Sequence, residues 1–189
     1  MQFGETLRIV KKIFLILGSI LIIGVIYFID KSDRGLLYSE YIPAEEISEF
    51  YLHENNDNLQ ETFEKNFGNP KYEFPRSTVR KIKIINNVPL VSRLTSQTIT
   101  EKKEIDFILE FFNNPQNFDW TETTWSMNES EYIFRFYNEE NNEIGKVWLC
   151  LKGCRMTDSR PFSPNMKFGG LSDLGKVRMN EILNNQTLK

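Results

Sequence analysis

The sequence predicts an α+β protein: a single N-terminal transmembrane helix, then one small domain whose antiparallel sheet has helices packed on one face. Three observations predict it. Residues 13–29, IFLILGSILIIGVIYFI, run seventeen residues without a charge. Residues 100–113 carry Ile105, Ile108, Leu109 and Phe112 at i, i+3, i+4 and i+7, one face of a helix. Tyr132, Phe134 and Phe136 before Glu139-Glu140-Asn141-Asn142, and Val147, Leu149 and Leu151 after it, each recur at every second residue, the pattern of a β-hairpin.

Thirteen of the seventeen residues in the first run are Ile, Leu, Val or Phe. Each favours a bilayer by roughly 0.3–0.6 kcal/mol, and Gly18, Ser19, Gly24 and Tyr27 only reduce that sum. The run has no polar face, unlike a core helix of a domain this size. A cleavable signal peptide would need small residues at its end, and Tyr27-Phe28-Ile29-Asp30-Lys31 has none. Arg8, Lys11 and Lys12 precede the run, whereas only Lys31 and Arg34 follow it closely. The positive-inside rule therefore predicts a cytoplasmic leader (1–12), a membrane anchor (13–29), a linker (30–42) and an extracytoplasmic domain (43–189). That domain would be periplasmic in a Gram-negative cell.

Beyond the linker, residues 43–67 read as two helices. Ile47, Phe50 and Tyr51 form one apolar group, and Leu59, Phe63 and Phe67 the other. Asn55-Asn56-Asp57-Asn58 separates them, and Gly68-Asn69-Pro70 stops the second. Residues 77–86 read as a strand with Ile82 and Ile84 on one side, Lys81 and Lys83 on the other. Asn86-Asn87 suits a turn, and 90–98 would return as a strand that starts late because Pro89 cannot donate to a ladder. Thr100 is the expected N-cap of the helix over 100–113, and Asn113-Asn114-Pro115 its stop. A strand near 119–127 precedes the hairpin. Tyr132, Phe134 and Phe136 share a face of its first arm; Val147, Leu149 and Leu151 share one of the second. Ser172 caps a last helix expected to bury Leu174, Val177 and Ile182 or Leu183.

The chain carries 26 acidic and 23 basic residues. The leader, with three basic residues against Glu5, is +2 and leaves −5 beyond it, which argues against nucleic acid as a partner. Fifteen Phe and 13% aromatic residues supply ample apolar area for one folded domain. Charges fall in blocks: 43–70 and 104–145 are acidic, 71–103 and 146–189 basic. Solvated faces that neutralise one another explain such blocks, and so does a patch that steers a charged protein.

No nucleophile elbow, zinc-protease helix, phosphate loop or dinucleotide fingerprint occurs. His53, the one histidine, lies in an acidic helical stretch. One His and two Cys do not make an ordinary zinc site, and no cofactor is expected. Cys150 and Cys154 lie beyond the anchor, where a close pair is expected to form a disulfide across a Leu151-Lys152-Gly153 turn. The loop 157–171, TDSRPFSPNMKFGGL, combines apolar Phe162, Met166 and Phe168 with Arg160 and Lys167, types enriched at protein interfaces. It serves either as a binding surface or as a satellite core folded over the sheet edge. If it is core, Lys81 and Lys83 become the leading partner-binding residues.

The expected role is protein binding from the outer membrane face, as an inhibitor, an immunity-type protein or an accessory subunit of an envelope complex. The alternatives are a carboxylate-dependent envelope hydrolase and a structural subunit that packs through its membrane helix.

Overall fold

The computed structural model describes residues 2–36, 73–119, 129–152, 157–161, 163–166 and 170–187. The expected helices over 43–67, His53, Cys154, Phe162, Lys167 and Phe168 lie outside these residues, as does the expected strand past Asp119.

Helix α1 (Gln2–Asp33) runs 32 residues without a break, about 48 Å at 1.5 Å per residue. Its stretch Arg8–Asp33 is long and apolar enough to cross a membrane, and up to Ile29 it is not buried in the domain. The helix continues past Ile29 and stops abruptly. Gly35 takes φ 67°, its amide donates to the carbonyl of Ser32 at 3.0 Å, and the Leu36 amide donates to Lys31 at 2.9 Å. This is a Schellman end, in which glycine supplies the left-handed residue that a side chain resists.

The domain is α+β. Strands β1 (Lys81–Asn86), β2 (Gln97–Ile99), β3 (Phe118–Asp119), β4 (Tyr132–Tyr137), β5 (Glu143–Leu149), β6 (Thr157–Arg160) and β7 (Gly170–Leu171) join helices α2 (Lys102–Asn113) and α3 (Asp173–Thr187). Five strands form one antiparallel sheet in the order β2-β1-β4-β5-β6, and β3 pairs with β7 in a second, small one.

The period of two divides the main sheet into an apolar core face and a charged outer face. Ile82 and Ile84 of β1, Phe134 and Phe136 of β4, and Val147 and Leu149 of β5 are buried on the core face. Against them α2 lays Ile105, Ile108, Phe111 and Phe112. Each such side chain gains about 1.5–3 kcal/mol on leaving water. Rings meet edge to face: Phe112 lies 5.1 Å from Phe134, and Phe74 lies 4.9 Å from Phe136. Asn113 clasps the Phe74 backbone from both sides, accepting from its amide at 2.8 Å and donating to its carbonyl at 2.6 Å.

The hairpin β4–β5 turns at residues 139–142, as expected. Four other expectations are corrected. Glu101, not Thr100, occupies the cap of α2, and its side chain does not cap the helix amides. Of the expected return strand 90–98 only Gln97 and Thr98 pair with β1, in a strand that runs on to Ile99; residues 89–95 form turns, and Asn86 is the last paired residue of β1 and does not begin a hairpin turn between two paired strands. Ser172 does cap α3, accepting from the Gly175 amide at 3.0 Å, but Leu174 and Val177 are exposed while Gly175, Met179 and Ile182 are buried. The cause is the approach of α3 to Asn117, which selects the face carrying Gly175. Finally, 157–171 is not a single loop: β6 pairs with β5, Pro164–Met166 is a short 3-10 turn, and β7 follows.

Candidate functional site

The residues that remain candidates for binding are positioned by strand pairing. Lys83 of β1 stands opposite Arg135 of β4, Arg135 opposite Lys146 of β5, and Lys146 opposite Arg160 of β6. Four cations thus form one row across four strands on the outer face. At about 4.8 Å per strand the row spans about 14 Å. Lys81, two residues from Lys83, extends the same face, with its ammonium 4.4 Å from the centre of the Tyr137 ring.

Like charges in a row repel, and the neighbours answer this. Glu143 bonds Arg135 and lies 3.2 Å from the Lys146 ammonium. Asp158 holds Arg160 at 3.0 Å. Trp148, fully buried in the next row, receives Lys146 at 5.2 Å and Arg160 at 5.7 Å from its ring, both within cation–π range. Burial pushes the Asp158 carboxyl above its ordinary value; Arg160 and the Ser159 amide oppose that shift without cancelling it. The Lys83 side chain makes no hydrogen bond or ion pair among the described residues, and it is half-buried. Lys146 itself is buried and the other four cations are half-buried; set against Glu143, Asp158 and the Asp33 carboxylate near Tyr137, the five leave a net positive charge on the face.

The outer face also meets the end of α1. Ile85, Ile133 and Trp148 form a buried apolar cluster, and Leu36 packs on it directly after the Schellman end. Asp30 and Arg34 are both buried and pair at 2.8 Å. Arg34 donates to Asn87 Oδ1 at 3.0 Å, and Asn87 donates to the carbonyl and hydroxyl of Ser130 at 2.8 and 2.9 Å. The other Asp30 oxygen accepts from the Leu90 amide at 2.7 Å. Arg135 donates to the Asp33 carbonyl at 2.9 Å, so one member of the basic row also holds the helix end.

Of the residues expected to bind a partner, Lys81, Lys83 and Arg160 come together on this face. Met166 does not: it is buried at 0% exposure in the main core, and Ser163 and Asn165 beside it are also buried. The described part of 157–171 is therefore packed, which turns attention to the strand face. Sequence reasoning missed Arg135 and Lys146. Their only local signal is a charge between apolar neighbours, and it is weak, because Ile133 and Trp148 on the same face as Arg135 and Lys146 are fully buried and Lys146 is itself buried. Among the described residues, no three His, Cys, Asp or Glu side chains converge as a metal site. Compared with known families, curated proteins and solved structures, the chain matches none.

Proposed function

We propose that this chain is a single-pass, membrane-anchored binding module that presents the basic row to an acidic protein partner outside the cytoplasm. The row Lys83–Arg135–Lys146–Arg160 is the observation that carries the reading. Ammonium and guanidinium groups are the usual partners of carboxylates across protein interfaces. The buried junction at Asp30 and Arg34 supports it as well, because it fixes the face relative to the anchor.

The test is recovery of a partner from intact membranes with the full chain. Lys83→Glu should abolish capture, and capture by the parent should weaken as salt rises. Lys102→Glu, on the exposed surface of α2, should leave capture intact. Equal capture by both variants would remove the basic face from the proposal.

The reading also holds that α1 crosses the membrane with its N-terminus inside. Reporter fusions after residue 40 should be active only outside the cytoplasm, and the mature protein should begin near Met1, not near Asp30. In that compartment Cys150 and Cys154 would form a disulfide. The reading rests on the short spacing of the two cysteines and on an oxidising compartment. Mass spectrometry of unreduced protein that found two thiols would end this part.

A further inference from the structure

We propose that residues 88–94, VPLVSRL, form a second membrane contact, lying in the interface of the bilayer that α1 enters. The inference rests on the reading of α1 as a membrane anchor.

Three observations converge. First, the segment exposes Val88 (49%), Leu90 (65%), Val91 (37%) and Leu94 (85%), four apolar side chains within seven residues. Second, Leu90 holds φ 67°, a conformation that a bulky residue adopts only when its surroundings impose it. Third, the tethers are all on α1. The Leu90 amide and the Ser92 hydroxyl reach Asp30 Oδ1 at 2.7 and 3.5 Å, and Arg93 pairs with Asp33.

The level of those tethers names the occupant. Asp30 is the first residue after the apolar run 13–29, and Asp33 lies about 4.5 Å further along the axis. Leu90 is therefore fixed where α1 leaves the hydrocarbon, beside the end of the helix's apolar run. Its polar groups turn to α1 and its apolar side chains away from the fold, the division an interfacial segment requires. Burying these side chains at the acyl boundary removes apolar area from water. The exposed guanidinium of Arg93 is left at headgroup depth, a usual place for arginine.

The experiment uses the full chain in vesicles, with lipid brominated either high on the acyl chain or near its methyl end. Emission of the three native Trp is subtracted. Leu94→Trp should lose its added emission to the high bromines and keep it with the deep ones, and Val88→Trp should repeat this should the first variant misfold. Leu21→Trp, at the middle of the apolar run, should show the reverse. Glu140→Trp, at the hairpin tip, should be quenched by neither. If Leu21→Trp is quenched and neither loop variant is, the loop proposal falls while the anchor reading stands. Shielding of those loop variants from aqueous acrylamide would then assign the patch to a second copy or a protein partner. If Leu21→Trp escapes both lipids, α1 is outside the bilayer and both readings fall.

Discussion

Gly175→Ala sets two effects of opposite sign against each other. In a helix, alanine is favoured over glycine by about 1 kcal/mol, so by propensity alone the change stabilises α3. The space at this position says otherwise. A Cβ on Gly175 would stand 2.0 Å from the carbonyl oxygen of Asn117, 2.8 Å from its carbon and 3.1 Å from its Cα. Ordinary C···O contact begins near 3.3 Å, so α3 and the 3-10 turn Pro115–Asn117 would have to part by about 1 Å or more. Backbone crowds the site, and no flexible side chain can swing away. The Ser172 amide bond to the Asn117 carbonyl (3.0 Å) and the Ser172 hydroxyl bond to the Gln116 carbonyl (2.8 Å) bridge the gap that must open. Each is worth about 1 kcal/mol, and overpacking adds roughly 1–3 kcal/mol. After the propensity gain, a net loss of about 2–4 kcal/mol remains, a large share of a typical domain's 5–15 kcal/mol. Urea unfolding of the detergent-solubilised full chain, followed by Trp fluorescence, reads this directly. Lys176→Ala, the exposed neighbour, should stay within about 0.5 kcal/mol of the parent. A Gly175→Ala protein as stable as the parent, or more so, would refute the close approach of α3 to Asn117.

Arg34→Ala should cost about 3–5 kcal/mol, because it leaves the Asp30 carboxylate buried without its cation; adding Asp30→Asn should recover part of the loss. A loss below about 1 kcal/mol in the same unfolding experiment would mean that the pair behaves as an exposed one. Met166→Ala should lower stability by about 2–5 kcal/mol, and an unchanged melting midpoint would return 157–171 to the exposed surface. Asp158 gives a pH prediction. Its carboxyl holds a proton more tightly in the fold than in the unfolded chain, so its contribution is most favourable below its ordinary value of 3.8 and declines as pH rises toward its raised folded pKa. Relative to the parent, Asp158→Asn should therefore gain melting temperature as pH rises from about 4 to about 7, and a relative loss over that range would contradict the assignment.

The elements that could be read from sequence are those whose local pattern agrees with their packing. Helix α2 has one continuous apolar stripe, and its Phe112 reaches the sheet as the spacing requires. The hairpin β4–β5 places Phe134 and Phe136 inward as their spacing requires, although Ile133 and Trp148 are also buried, on the other face. Elements whose form is imposed from outside were misread. The segment after Pro89 looks like a strand because of Leu90, Val91 and Leu94, yet its amide at Leu90 and hydroxyl at Ser92 are taken by Asp30, some sixty residues earlier. Strand β6, TDSR, has no apolar residue to mark a face; it exists because β5 offers it a ladder. Leu174 and Val177 outweigh Gly175 in any count of hydrophobicity, but only a face carrying glycine can meet the Asn117 backbone. The basic row was hidden for a related reason. Its members lie on four strands, and their alignment needs the pairing of β1 with β4 across about fifty residues.

The Schellman end and the buried Asp30–Arg34 pair have a consequence for helical phase. Between the last turn of α1 and the sheet there is no swivel: Gly35 fixes the exit direction, and Leu36 is already seated on Ile85, Ile133 and Trp148. The azimuth of the basic row about the helix axis is therefore set by which side of α1 faces which neighbour. One alanine inserted after Ile29 turns the row by about 100° and moves it about 1.5 Å along the axis, whereas seven return it to within about 20° of its first heading. Seven also lift the row about 10.5 Å along the axis, so heading and height can be varied separately against a partner held in the same membrane, although the domain itself is unchanged in both.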